Sequence, residues 1–250
     1  MQEQSFLVLV VGVFLCCFGL YEKIVDSLLN FFKDVKNNLK FIMPIAFGVL
    51  SGVFLFGNIL KIAYDKFYMP TSFAFIGLIL GSIKLVVKQA DIKKFTLLHL
   101  LCMLITFSFS LYLVALENSI ISKSYINSNS YFILAGIIMS AGIVIPGVSK
   151  TVILMILGLY EIYLSAISTL NLSILLPIGI GLLIGGFLFL CIINFLFKIA
   201  KSYTYFAIIG FILGSVFVIY PGFTLNLEGL TSLILLIISF IVGIKLSKFN

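Results

Sequence analysis

Ser149, Lys150 and Thr151 stand at consecutive positions inside an otherwise apolar stretch, just after Pro146-Gly147-Val148. Two hydroxyls and an ammonium at that spacing can hold an anion. Pro146 lacks a backbone donor and Gly147 accepts unusual dihedrals, so Ile145 to Val148 suits a tight reversal between two short helices. Ser149 is then the natural N-cap of the helix that follows. The free amides of Lys150, Thr151 and Val152 would point into the protein interior at the positive end of the helix dipole, a site whose commonest occupant is phosphate. The competing reading is a turn that reaches the cytoplasmic water layer, with Lys150 snorkelling. A charge and a broken helix at membrane depth favour the site.

Few other residues offer chemistry. Glu161 follows eleven residues after Lys150, roughly 16 Å along a continuous helix and too far for a direct pair. Glu161 and Glu22, its counterpart in the other half of the chain, are either titratable carboxylates that couple transport to protons or helix ends at the interface. His99 stands alone in an apolar run and reads as a satisfied polar contact rather than a proton relay. Asn58 and Asn194 read as interhelical hydrogen-bond partners. Cys16, Cys17, Cys102 and Cys191 lack CxxC spacing and histidine partners, so no metal site, disulfide framework or cofactor is expected.

The elements that must position these residues are membrane helices. The chain is 62% hydrophobic with 26 Phe and no Trp, and its mean hydropathy is +1.27; this composition describes an all-α polytopic membrane protein. All 16 basic residues are lysine, so the net +7 does not come from guanidinium clamps for nucleic acid. Residues 41–60, 70–87, 96–116, 173–197, 204–220 and 230–246 are long enough to cross a hydrocarbon core of roughly 30 Å. Residues 5–20, 131–145 and 150–167 are odd: the first two, about 15 or 16 residues long, are short for a full crossing, and these segments read as re-entrant or broken. The first of them has no basic flank or small-residue cleavage site and does not read as a signal peptide. Lysines concentrate in 22–40, 84–94, 198–201 and the C-terminal tail, which places those stretches and the C-terminus on the cytoplasmic side.

The chain also repeats itself. A shift of 133 lays Pro44, Gly48 and Gly52 on Pro177, Gly181 and Gly185, and residues 71–82 on 204–215 with nine of twelve positions identical. Upstream, Gly19-Leu20-Tyr21-Glu22 matches Gly158-Leu159-Tyr160-Glu161 at an offset of 139. Each copy is one short segment followed by three spanning helices. Three is odd, so the second copy runs in the opposite sense, as in inverted-repeat transporters with substrate between the halves. The divisions are residues 1–116 for the first repeat, 117–130 for an external linker and 131–250 for the second repeat. Paired glycines at 48/52, 77/81, 181/185 and 210/214 favour close helix packing within the monomer over a homodimer interface.

The run Ile145-Pro146-Gly147-Val148-Ser149, with Gly158-Leu159-Tyr160-Glu161 downstream in a duplicated chain, resembles the PopT-type polyprenyl-phosphate translocases over essentially its whole length. The resemblance implies a multi-pass protein of the bacterial cytoplasmic membrane that returns undecaprenyl phosphate from the outer to the inner leaflet, recycling the carrier lipid of cell-wall synthesis. Its partners are then the polyprenyl-phosphate lipid and the bilayer, and Pro146, Gly147, Ser149, Lys150 and Thr151 bind substrate. Two features depart from the family. The offset of 139 puts the first Pro-Gly-Val-Ser at Leu7-Val8-Leu9-Val10, where the motif is absent, so the first repeat reads as N-terminally truncated or degenerate; and Lys150 stands where many members have glycine. A transporter of a small soluble anion is the alternative. A membrane-embedded lipid phosphatase or transferase ranks third, because no nucleophile and base pair is evident.

Overall fold

The computed structural model describes residues 20–31, 33–92, 95–119, 128–145, 148 and 150–246. Every regular element among them is helical: α1 (Leu20–Leu29), α2 (Val35–Lys66), α3 (Tyr68–Gln89), α4 (Leu97–Ser119), α5 (Asn129–Val144), α6 (Lys150–Ile156), α7 (Tyr160–Ser168), α8 (Leu172–Ile219) and α9 (Leu227–Leu246). Among the described residues, 68–89, 172–217 and 227–245 are long and apolar enough to cross a membrane. The short segment expected at residues 5–20 falls almost wholly outside the described residues.

Two segments differ from the sequence reading. The lysine-rich stretch 22–40 holds α1 and the start of α2, which begins at Asp34, whose carboxylate accepts from the Asn37 amide at 3.4 Å. Residues 150–167 form two helices instead of one, because Gly158 adopts the left-handed conformation at φ 67°. The Leu159 amide then donates to the Leu154 carbonyl at 2.9 Å and the Gly158 amide to Met155 at 2.9 Å. That bond pair is a Schellman stop, and buried Leu154 and Leu159 supply its hydrophobic contact.

The chain forms two compact units, residues 1–94 with 216–250 and residues 95–215. In the first, α3 packs on α9. A methyl added at Gly77 would overlap the Leu236 carbonyl oxygen, and one at Gly81 the Phe240 carbonyl oxygen. In the second, the later arm of α8 packs on α4, where a methyl at Gly210 would meet the Met103 carbonyl and the Thr106 hydroxyl, and one at Gly214 would meet Ser110. Adding 133 to Gly77, Leu236 reversed to Met103, and Ser239 reversed to Thr106 reproduces one contact set from the other. Both helix pairs advance four residues together, so each pair runs parallel. Each unit therefore builds the same pairing from the second helix of one sequence copy and the third helix of the other.

The repeat extends to the backbone. α2 and α3 are separated at Phe67 (φ −134°, ψ 53°). The single non-helical residue inside α8, Ala200, has φ −137° and ψ 49°. Ser82 and Ser215, also 133 apart, are both buried and donate to the carbonyls three residues back at 2.7 Å. The causes of the two breaks differ. Pro70 in the first turn of α3 would clash with the Lys66 carbonyl if α2 continued; the matching residue in α8 is Tyr203, with no such constraint.

At Ala200 the break is held from outside by α4. The Thr96 amide donates to His99 Nδ1 at 3.1 Å, so Nδ1 accepts and Nε2 carries the proton towards Ser202 Oγ at 3.1 Å. The imidazole also stacks on Tyr203 with ring centroids 4.2 Å apart. His99 is thus a satisfied polar contact. The Asn194 side chain is partly buried on α8, and the Asn58 side chain lies outside the described residues.

Candidate functional site

α5 and α6 form a hairpin in the second unit. At its closed end the Val148 amide donates to the Ile145 carbonyl at 3.3 Å. At its open end the Tyr131 hydroxyl donates to the Leu157 carbonyl at 2.7 Å, which ties the start of α5 to the end of α6. Phe132, Ala135 and Met139 of α5 close over Ile153 and Leu154 of α6, with Ile178 of α8 completing this core. The hairpin returns the chain to the end from which it left. With only seven residues, α6 rises roughly 10 Å, a third of a hydrocarbon core.

Lys150 is the first residue of α6 and is partly buried. It follows the closed end directly. Pro146, Gly147 and Ser149, which the sequence predicts to bind substrate, lie outside the described residues, as does the side chain of Thr151. Glu161 is exposed in the first turn of α7, and Glu22 is half-buried in the first turn of α1, in the first unit. The break at Gly158 removes the continuous helix on which the spacing from Lys150 to Glu161 was reckoned. Among the described residues no group of His, Cys, Asp and Glu could hold a metal ion.

α5 lies along the first arm of α8 in parallel. Gly136 meets the Ile178 carbonyl and Gly181, and Gly185 meets Ile137 and Ser140. Beside that seam runs a groove of about 490 Å³, from Leu175 to Gly186 on α8 and bounded by Ile143 and Val144 in the last turn of α5. The one hydroxyl in its wall, on Ser140, is already spent on the Ile137 carbonyl at 2.6 Å. Sequence reasoning missed this groove. Its signal is two extra glycines, Gly179 and Gly186, which flank the packing pair Gly181 and Gly185 but where an added Cβ would meet nothing within 4 Å.

The family model for undecaprenyl phosphate translocase-like proteins matches residues 17–233. The chain belongs to that family. A polyprenyl-phosphate transporter of Staphylococcus aureus is 30% identical over 224 residues, which cover 83% of this chain and 78% of that protein. A polyprenyl-phosphate transporter of Vibrio cholerae is 26% identical over 181 residues, 72% of this chain and 57% of the relative. No solved structure matches. The family match takes in the α5–α6 hairpin, the groove and the pairing of α4 with the later arm of α8, so these are features of a translocase-like family member. The family and its relatives are named for transport rather than for catalysis.

Proposed function

We propose that this protein moves polyprenyl phosphate, with undecaprenyl phosphate as its substrate, across the bacterial cytoplasmic membrane and so returns the carrier lipid for reuse in cell-wall synthesis. The observation that carries this reading is the partly buried Lys150 at the closed end of a hairpin whose open ends are tied together by Tyr131 and Leu157. A cation held there on an apolar scaffold is costly unless it serves an anionic ligand. In this reading Pro146, Gly147, Ser149, Lys150 and Thr151 receive the phosphate, and the groove's lack of free polar groups favours a lipid over a small soluble anion.

The six spans and the short segments form two inverted repeats in this reading, with residues 1–116 and 131–250 as the copies and the C-terminus cytoplasmic. Parallel packing of α3 on α9 and of α4 on the later arm of α8 supports that arrangement. Consecutive spans alternate in direction, so a second helix lies parallel to the third helix of the other copy only when the copies are inverted. The same parity requires the α5–α6 hairpin to return the chain to the side it left. Rocking of one repeat against the other then changes the leaflet from which the site is reached. Glu161 and Glu22 are the candidates for proton coupling, and a homodimer is the remaining assembly; Gly77, Gly81, Gly181, Gly185, Gly210 and Gly214 are all packed within the chain itself.

The test follows the orientation of undecaprenyl phosphate in proteoliposomes. Lys150→Ala is expected to slow its passage about tenfold, the loss of one charge-assisted contact. Wild-type rates in Lys150→Ala and Ser149→Ala together would remove the phosphate site from this hairpin.

A further inference from the structure

We infer that the groove between the first arm of α8 and the last turn of α5 seats the isoprenoid tail of the substrate next to its headgroup. This rests on the reading of the protein as a polyprenyl-phosphate transporter, and it adds to that reading a tail subsite built by the chain. Three observations converge on it. The groove is apolar, and its single hydroxyl is internally satisfied, so an occupant must bring no polar group. It reaches Ile143 and Val144, where the chain turns back towards Lys150; a lipid with its phosphate at the closed end of the hairpin has its tail at the mouth of the groove.

The third observation is the shape of the wall. Gly179 and Gly186 are seven residues apart, two turns or roughly 10 Å on one helix face. Both leave open space where a Cβ would stand, while Ile180 and Leu183 rise between them. Such a relief of notches and ridges accommodates the regularly spaced methyl branches of an isoprenoid, whereas a straight acyl chain gains nothing from the notches. The first sequence copy has Ala46 and Val53 at the corresponding positions, so the notches are not part of the shared packing pattern. Lipid tails are as apolar as the groove. Shape rather than hydrophobicity must therefore select the occupant.

Gly179→Leu and Gly186→Leu enter the notches at positions where an added Cβ meets nothing within 4 Å, and thermal unfolding of each purified full-length variant should match wild type. In proteoliposomes the readout is the initial rate of leaflet exchange for undecaprenyl phosphate and for straight-chain hexadecyl phosphate. The wild type is expected to favour the isoprenoid, and each variant to lose about tenfold of that rate while the hexadecyl rate changes less than about twofold. Leu183, 77% exposed, gives a variant of the opposite kind: Leu183→Ala removes a ridge and should lower the preference for the isoprenoid about threefold. Lys150→Ala, by contrast, should slow both lipids alike. Variants that move undecaprenyl phosphate at the wild-type rate, or lose both lipids in equal proportion, overturn the tail subsite and leave the transporter reading standing. A wild type that exchanges neither lipid overturns that reading, and the subsite with it.

Discussion

Gly77→Ala and Gly210→Ala should destabilise the protein by the same amount, although they lie in different units and 133 residues apart. At Gly77 the new methyl overlaps the Leu236 carbonyl oxygen and comes to 3.0 Å from Ser239 Cβ; at Gly210 it overlaps the Met103 carbonyl oxygen and the Thr106 hydroxyl. A carbonyl inside a helix cannot rotate away, so relief requires one helix to move off the other. Overpacking of that kind costs about 1–3 kcal/mol. Alanine's better helix propensity, worth up to about 1 kcal/mol, offsets little when the denatured state keeps its helices, as it does in detergent. A net loss of about 2 kcal/mol for each follows from these terms.

The assay is unfolding in mixed micelles titrated with sodium dodecyl sulfate, read by near-ultraviolet circular dichroism of the packed tyrosines and by the mobility of the folded band. Gly77 and Gly210 share no contact partner, so the double variant should lose the sum of the single losses to within about 0.5 kcal/mol. Gly179→Ala, with open space at its Cβ, is the control and should stay within about 0.5 kcal/mol of wild type. Either glycine variant keeping wild-type stability, or the two differing by more than about 1 kcal/mol, would refute the matched pairing of α3 with α9 and α8 with α4.

Three further substitutions test the local devices. Gly158→Ala forces a side chain into the left-handed region and should cost about 1–2 kcal/mol, with Gly158→Asn recovering a good part of it, both read as shifts in the same titration. Tyr131→Phe leaves the Leu157 carbonyl without its donor and should cost about 1 kcal/mol, accompanied by faster hydrogen exchange at the end of α6. His99→Phe keeps an aromatic ring against Tyr203 but strips partners from the Thr96 amide and Ser202; a loss of about 1–3 kcal/mol is expected in thermal unfolding, and an unchanged midpoint would show that the imidazole does not hold the Ala200 break.

The sequence made the duplication plain because glycine, serine and threonine are rare punctuation in apolar helices, and their positions persisted at one offset from Gly48 to Ser215. It also pointed to the hairpin, since a Pro146-Gly147 pair disfavours a continuous helix. It could not say which helix each glycine pair meets. A GxxxG spacing creates a flat face, and the partner of that face is fixed only in three dimensions; the pairing of α3 with α9 rather than with its own neighbour α4 is therefore invisible in the string. The stop at Gly158 was hidden by similar means, because Leu157-Gly158-Leu159-Tyr160 keeps the apolar character of the helices on either side. The groove was hidden most thoroughly: Gly179, Gly181, Gly185 and Gly186 look equivalent in sequence, and only burial separates the two that pack from the two that stay open.

The two copies agree and disagree in a pattern that follows from what each position touches. Identity is kept where helices pack closely, since one extra methyl at Gly77, Gly81, Gly210 or Gly214 would push helices apart; it is kept also at the buried Ser82 and Ser215, whose hydroxyls donate to their own helix carbonyls. It is lost where the same fold can be reached by another device, as at the helix break, which Pro70 sets through covalent geometry in one copy and His99 holds through hydrogen bonds and stacking in the other. It is lost again at Ala46 against Gly179 and Val53 against Gly186, where the second copy gives up side chains that no contact required it to remove. A helix gains nothing in stability from those two glycines. Their presence in the copy that carries Lys150 and the Pro-Gly-Val-Ser run, and not in the other, fits the substrate path proposed above.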